Sequence, residues 1–230
     1  TMNINAEMNY WPACSANLGA CFEPFERLVR ELATNGRTLA ESMYHRSGWV
    51  AHHNTTIWRS AQPVDGAGFI CFWPVGAGWL CNNIWDYYLF TADHAYLEET
   101  AYPLIRDAAI FLAQWLVEGT NGTLTTPVSN SPENQFLYTD LDGVRERSGM
   151  CIGSAMDLAI IRETLENAIS ASKLLGTDDE LREDFTGKLK QLEGYKIGSK
   201  GQLLEWHEEF EEADPEHRHV SHLYGLHPGF

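Results

Sequence analysis

Two asparagines two residues apart, Asn3 and Asn5, lie in the opening stretch "TMNINAEMNYWPA". On an extended segment, residues i and i+2 project from one face, so both amides can hold one small ligand such as a water. Taken alone the pattern is weak, because asparagine is common in loops. A second candidate is Glu133, in "TPVSNSPENQF" (126–136). Prolines and turn formers bar a helix there, so the carboxylate is either a surface accident or a placed acid. Glycosidic-bond hydrolysis needs one carboxylic acid to protonate the leaving oxygen and a second group to activate water or attack carbon. Such an acid stays protonated near neutral pH when apolar and aromatic neighbours disfavour its charged form.

Three further stretches concentrate polar and aromatic groups. "YHRSGWVAHHNTTIWR" (44–59) packs three His, two Trp, two Arg and one Asn into sixteen residues. His52 and His53 are adjacent, which suits hydrogen bonds to hydroxyls better than chelation of one metal. In "FWPVGAGWL" (72–80) the glycines permit close approach, and Trp73 and Trp79 are candidates for a pocket wall or for the core. "HRHVSHLYGLHPG" (217–229) offers His217, His219 and His222 as metal ligands. No carboxylate or thiol follows at a supporting offset, and Arg218 would repel a cation. Arg218 and His219 read better as hydrogen-bond donors to a polyhydroxylated or anionic ligand. Most carboxylates of the acidic run 203–217 read as solvated.

The elements that must carry these groups are helical. Apolar residues recur at helical spacing in 104–118, 155–175 and 178–192, the last opening on a Thr177/Glu180 capping-box pattern. Weaker helical stretches are 22–34, 35–44, 76–91 and 94–101. Long loops at 45–75, 119–150 and 194–218 separate them, and 123–128 is the best strand signal. Helical hairpins with long loops gathered at one end describe an all-α toroid, of which the predicted helices fill only part.

Composition narrows the partners. The 230 residues hold 32 Asp and Glu against 16 Lys and Arg, a formal charge of −16, which argues against a nucleic-acid or anionic-membrane partner. No apolar run reaches the roughly 20 residues of a membrane span. No linker-like tract divides the chain, so 1–230 reads as one domain. Five cysteines without paired spacing read as buried free thiols of a reducing, cytoplasmic setting. Both ends read as cuts, which leaves export of the parent protein open.

Taken in order, "NINAEMNYWPA", "GWVAHHNT", "WPVGAGWLC", "SPENQF" and "HRHVSHLYGLHPG" closely resemble the catalytic domain of family 95 glycoside hydrolases. The resemblance implies an (α/α)6 barrel, incomplete in this chain. It also implies an inverting exo-α-L-fucosidase acting mainly on α-1,2-linked fucose of oligosaccharides or glycans, with no metal and no cofactor. By motif, Glu133 resembles the general acid, and Asn3 and Asn5 the pair that holds the attacking water. Arg218 and His219 resemble substrate binders, with His53 and Asn54 as further pocket residues, and Trp79 joins them from the reading of 72–80 as a pocket wall.

Two departures follow. The Asp that polarises the asparagine pair in this family lies downstream of the last motif, beyond Phe230, so the chain by itself is expected to be inactive. The usual "HNTD" reads "HNTT", with Thr56 in place of Asp. Thr1 stands where His accompanies a preference for fucose. A smaller residue there makes α-L-galactosidase the alternative, and a non-catalytic sugar-binding protein on a degenerate barrel is the reading from another class.

Overall fold

A computed structural model of the chain describes residues 1–119 and 121–229. Thr120, within the expected loop 119–150, and Phe230 lie outside the described residues. Helices make up about half of the chain: α1 (Asn5–Ser15), α2 (Glu23–Tyr44), α3 (Gly68–Cys71), α4 (Gly76–Thr91), α5 (His94–Tyr96), α6 (Tyr102–Trp115), α7 (Ala155–Leu175) and α8 (Asp179–Gln191). The architecture is largely helical, as expected, with a few small sheets added. Among the described residues, seven short strands lie between and after the helices: β1 (Val117–Glu118), β2 (Leu124–Thr125), β3 (Ser129–Asn130), β4 (Phe136–Thr139), β5 (Arg145–Ser148), β6 (Met150–Cys151) and β7 (Glu211–Glu212).

The strands form three small antiparallel sheets, β1–β2, β3–β6 and β5–β4–β7. β2 falls within the expected strand 123–128 and β1 at the end of the expected helix 104–118, while β3 to β7 fall in or at the edge of the expected loops, since segments this short show almost no alternation. β3 pairs with β6 through Ser129 opposite Cys151 and Asn130 opposite Met150, while Phe136 of β4 lies opposite Ser148 and Glu212. The turn carrying Glu133 is therefore anchored in a sheet at each end.

Helix α2 is continuous where two stretches were expected. Phe25, Val29, Leu32, Ala33, Gly36 and Ala40 form its buried stripe. Gly36 is required by close approach, since a Cβ there would sit 2.6 Å from the Val50 carbonyl oxygen. Similarly, α5 runs through a π turn (Leu97–Ala101) into α6. At the start of α7 the Ser154 hydroxyl accepts from the Asp157 N–H (3.3 Å), and Gly176 ends the helix with φ 65°.

The Thr177/Glu180 capping box does not form. Asp178 occupies the N-cap with φ 55° and no capping bond, and its carboxylate instead accepts from the Tyr102 hydroxyl (2.6 Å). A tertiary partner has displaced the local cap.

Helix α4 is the centre of the packing and touches α1, α2, α6 and α7. Its residues Gly76–Trp85 are all buried. The segment after α2 enters the core rather than running over the surface: Trp49, Val50, Ala51 and His52 have no exposed surface. Trp49 donates its indole N–H to the Leu104 carbonyl (2.9 Å). Trp73 also belongs to the core, donating to Asp157 Oδ1 at 2.9 Å. Among the described residues, no helix is long and apolar enough to cross a membrane.

Candidate active site

The N-terminal asparagine motif folds as a turn leading into α1, not as the extended segment on which both amides would share a face. Asn3 is buried in the turn, whereas Asn5 is the first residue of the helix and exposed. The Met2 N–H donates to the His53 carbonyl (2.7 Å), which ties this turn to the buried 49–53 segment. Thr1 donates its hydroxyl to Asn5 Oδ1.

A cavity of about 430 Å³ opens beside this turn. That is within the usual range for a small-molecule site. Thr1, Asn3 and Asn5 line one wall, Glu133 and Pro132 another, and Arg218 and His219 a third, with Trp79 of α4 and Met156 of α7 also lining it. Thus seven of the nine residues singled out in the sequence border one space, although they come from both ends and the middle of the chain. His53 and Asn54 do not line it. His53 is buried beside the N-terminal turn, and Asn54 uses its Oδ1 to accept from the Thr55 N–H (3.0 Å). Continuation of the core-threading segment turns His53 inward. Its imidazole is held below the usual range by burial, with Glu133 opposing that shift.

The Glu133 turn is closed by the Asn134 N–H donating to the Ser131 carbonyl (2.8 Å), and the Pro132–Glu133 peptide is cis. The Glu133 side chain is 31% exposed and faces cationic groups: Arg218 Nη2 is 3.4 Å and His219 Nε2 3.8 Å from its Oε2. The expected enclosure by apolar and aromatic groups is not what these contacts provide. The polar segment 218–219 folds across the pocket and meets the carboxylate first. Burial, followed by Arg218, lowers the His219 pKa, while Glu133 opposes the change. A neutral imidazole here can both donate and accept, as a sugar hydroxyl requires.

Trp79 is buried, and its indole N–H has no hydrogen-bond partner among the described residues. Its ring meets Tyr224 edge to face at 5.0 Å. Tyr224, which lines the cavity, was not anticipated. Its hydroxyl donates to Glu163 Oε2 (2.8 Å) and accepts from Asn82 Nδ2 (3.1 Å). Burial pushes the Glu163 carboxyl up to about 7. Nothing in "SHLYGLHPG" distinguishes this tyrosine from a surface one, because its partners come from α4 and α7.

Glu205 was missed as well. It lies within the acidic run read as solvated, yet it is buried. His52, next to His53 in the sequence, is also internal: its Nδ1 accepts from the Trp73 N–H (3.0 Å), so its Nε2 donates to the Tyr44 oxygen (2.7 Å). Burial lowers its pKa to about 3. All five cysteines are unpaired, but only Cys71 and Cys81 are buried and Cys21 is exposed, which corrects the expectation of five buried thiols.

Comparison with known families agrees with the order of these motifs. The model of the glycosyl hydrolase family 95 catalytic domain matches residues 1–230. The chain belongs to this family. It is 39% identical over 229 residues to alpha-L-fucosidase 2 of Arabidopsis thaliana, covering 99% of this chain and 27% of that protein. It is 30% identical over 235 residues to a probable alpha-fucosidase A of Aspergillus niger, covering 99% of the chain and 28% of the relative. The chain therefore spans little more than a quarter of the length of these family members.

Proposed function

We propose that the whole protein is an inverting exo-α-L-fucosidase that releases terminal, mainly α-1,2-linked L-fucose from oligosaccharides or glycans. In this reading, Glu133 protonates the leaving oxygen. Asn3 and Asn5 hold the attacking water on the opposite face of the sugar. Arg218, His219 and Trp79 bind the sugar hydroxyls and ring. The helices of this chain then form part of an (α/α)6 barrel. What supports the proposal most is the meeting of Glu133, Asn3, Asn5, Arg218 and His219 around one cavity of about 430 Å³.

The test is Glu133→Gln in the full-length protein, assayed on 2′-fucosyllactose. Loss of a general acid is expected to lower kcat by about 10²–10⁴-fold on this poor leaving group. NMR of the wild-type reaction should show β-L-fucose as the first anomer formed. Wild-type turnover by Glu133→Gln would remove the acid assignment, and α-L-fucose as first product would remove inversion.

Thr1 favours one second reading. This small side chain lines the cavity and leaves room for a hydroxymethyl group, so L-galactosides are the alternative substrate class. Comparing kcat/KM for aryl α-L-fucoside and α-L-galactoside decides between them. The five unpaired cysteines support a cytoplasmic setting for the protein, which fractionation of cells expressing the tagged full-length form would check.

A further inference from the structure

A second carboxylate grips the turn that carries Glu133. Glu205 is only 8% exposed, and its Oε1 accepts from the Ser131 hydroxyl at 2.6 Å. Its Oε2 accepts from Asn134 Nδ2 at 3.0 Å. One side chain thus clamps the residue two before Glu133 and the residue immediately after it. The clamp is itself fixed, because the Glu205 carbonyl accepts from the Ala155 N–H (3.1 Å) at the start of α7. His222 Nδ1 lies 3.8 Å from Oε2. The same C-terminal segment also reaches the turn directly, through the Ser221 hydroxyl donating to the Pro132 carbonyl.

A buried carboxylate is costly unless its oxygens are hydrogen-bonded. Both bonds to Glu205 come from the turn, so displacing the turn would leave the carboxylate unpaired. That penalty ties the position of residues 131–134 to the core. Solvent-exposed contacts such as Arg218 to Glu133 exert no comparable hold, since the Arg218 side chain is 74% exposed.

We propose that Glu205 is a positioning residue for proton transfer: by holding Ser131 and Asn134 it aims the Glu133 carboxyl at the leaving oxygen. It does not touch the sugar itself. The inference rests on the reading of Glu133 as the general acid. A merely structural role would weaken turnover of every substrate alike. A positioning role instead follows the demand for protonation, which is high for a sugar leaving group and low for an activated phenol.

The experiment uses the full-length protein with Glu205→Gln, measured on 2′-fucosyllactose and on an activated aryl α-L-fucoside. Glutamine can still accept from Ser131, but it sets an NH2 group against that of Asn134. A misplacement of the acid by about 1 Å is expected to lower kcat on 2′-fucosyllactose about 10–100-fold. On the aryl fucoside the loss should stay under about threefold, with KM on both substrates nearly unchanged. Equal losses on the two substrates, or none, would overturn the proposal. Should Glu205→Gln fail to fold, Ser131→Ala removes one of the two donors and is read by the same split. Glu133→Gln is run in parallel to separate the two ideas. If it retains wild-type turnover of 2′-fucosyllactose, the acid assignment fails and the positioning role with it. If it is inactive while Glu205→Gln shows no split, only the positioning role fails.

Discussion

Glu7 lies in the first turn of α1, two residues past Asn5, with no exposed surface and neither carboxyl oxygen hydrogen-bonded among the described residues. Burial pushes its carboxyl from the ordinary 4.5 up to about 8, so the fold accommodates the protonated form. Because the folded value lies above the unfolded one, this contribution to stability is fully present below about pH 4.5 and is lost as pH rises toward 8. At about 1.4 kcal/mol per pH unit between those values, the loss reaches roughly 4 kcal/mol at pH 8. Glutamine has nearly the same shape as protonated glutamate and does not ionise. Glu7→Gln in the full-length protein should therefore match wild type near pH 4.5 and be more stable by about 4 kcal/mol at pH 8. In thermal melts across this range, the mutant's advantage should grow with pH, to several degrees at the alkaline end. An offset that is constant with pH, or that shrinks as pH rises, would refute the reasoning.

Other expectations follow from the same geometry. Asp157→Ala leaves the buried Trp73 N–H without its acceptor and removes one of two acceptors in reach of the Ser129 hydroxyl, and a loss of about 3 kcal/mol in denaturant titration is expected. Gly36→Ala drives a methyl against the Val50 carbonyl and should destabilise by about 1–3 kcal/mol, visible as a lower melting temperature. Arg218→Ala removes a largely exposed side chain, so stability should change by less than about 0.5 kcal/mol. Its KM for fucosides should nonetheless rise about tenfold, the equivalent of one charge-assisted hydrogen bond. An unchanged KM would take Arg218 out of the sugar site.

The sequence by itself determined the helical character and the identities of the main pocket groups. Residues such as Phe25, Val29, Leu32 and Ala33 mark a helix face by local spacing alone, and α2, α4, α6, α7 and α8 were readable for that reason. Asn3, Asn5, Glu133, Arg218 and His219 were weak candidates one by one, and became legible through the resemblance of their motifs, taken in order, to one family. Tertiary structure alone decided three other matters. It folded Asn5 into a helix rather than the extended segment on which the two amides would share a face, and it buried His53. It also separated Glu205 from the acidic neighbours that resemble it in sequence, burying it against Ser131 and Asn134 from a segment some 70 residues earlier. Helix periodicity is a short-range signal, set within a few turns of one chain segment. The environment of a single carboxylate is set by whichever distant segment packs over it, and no local pattern of residues records that choice.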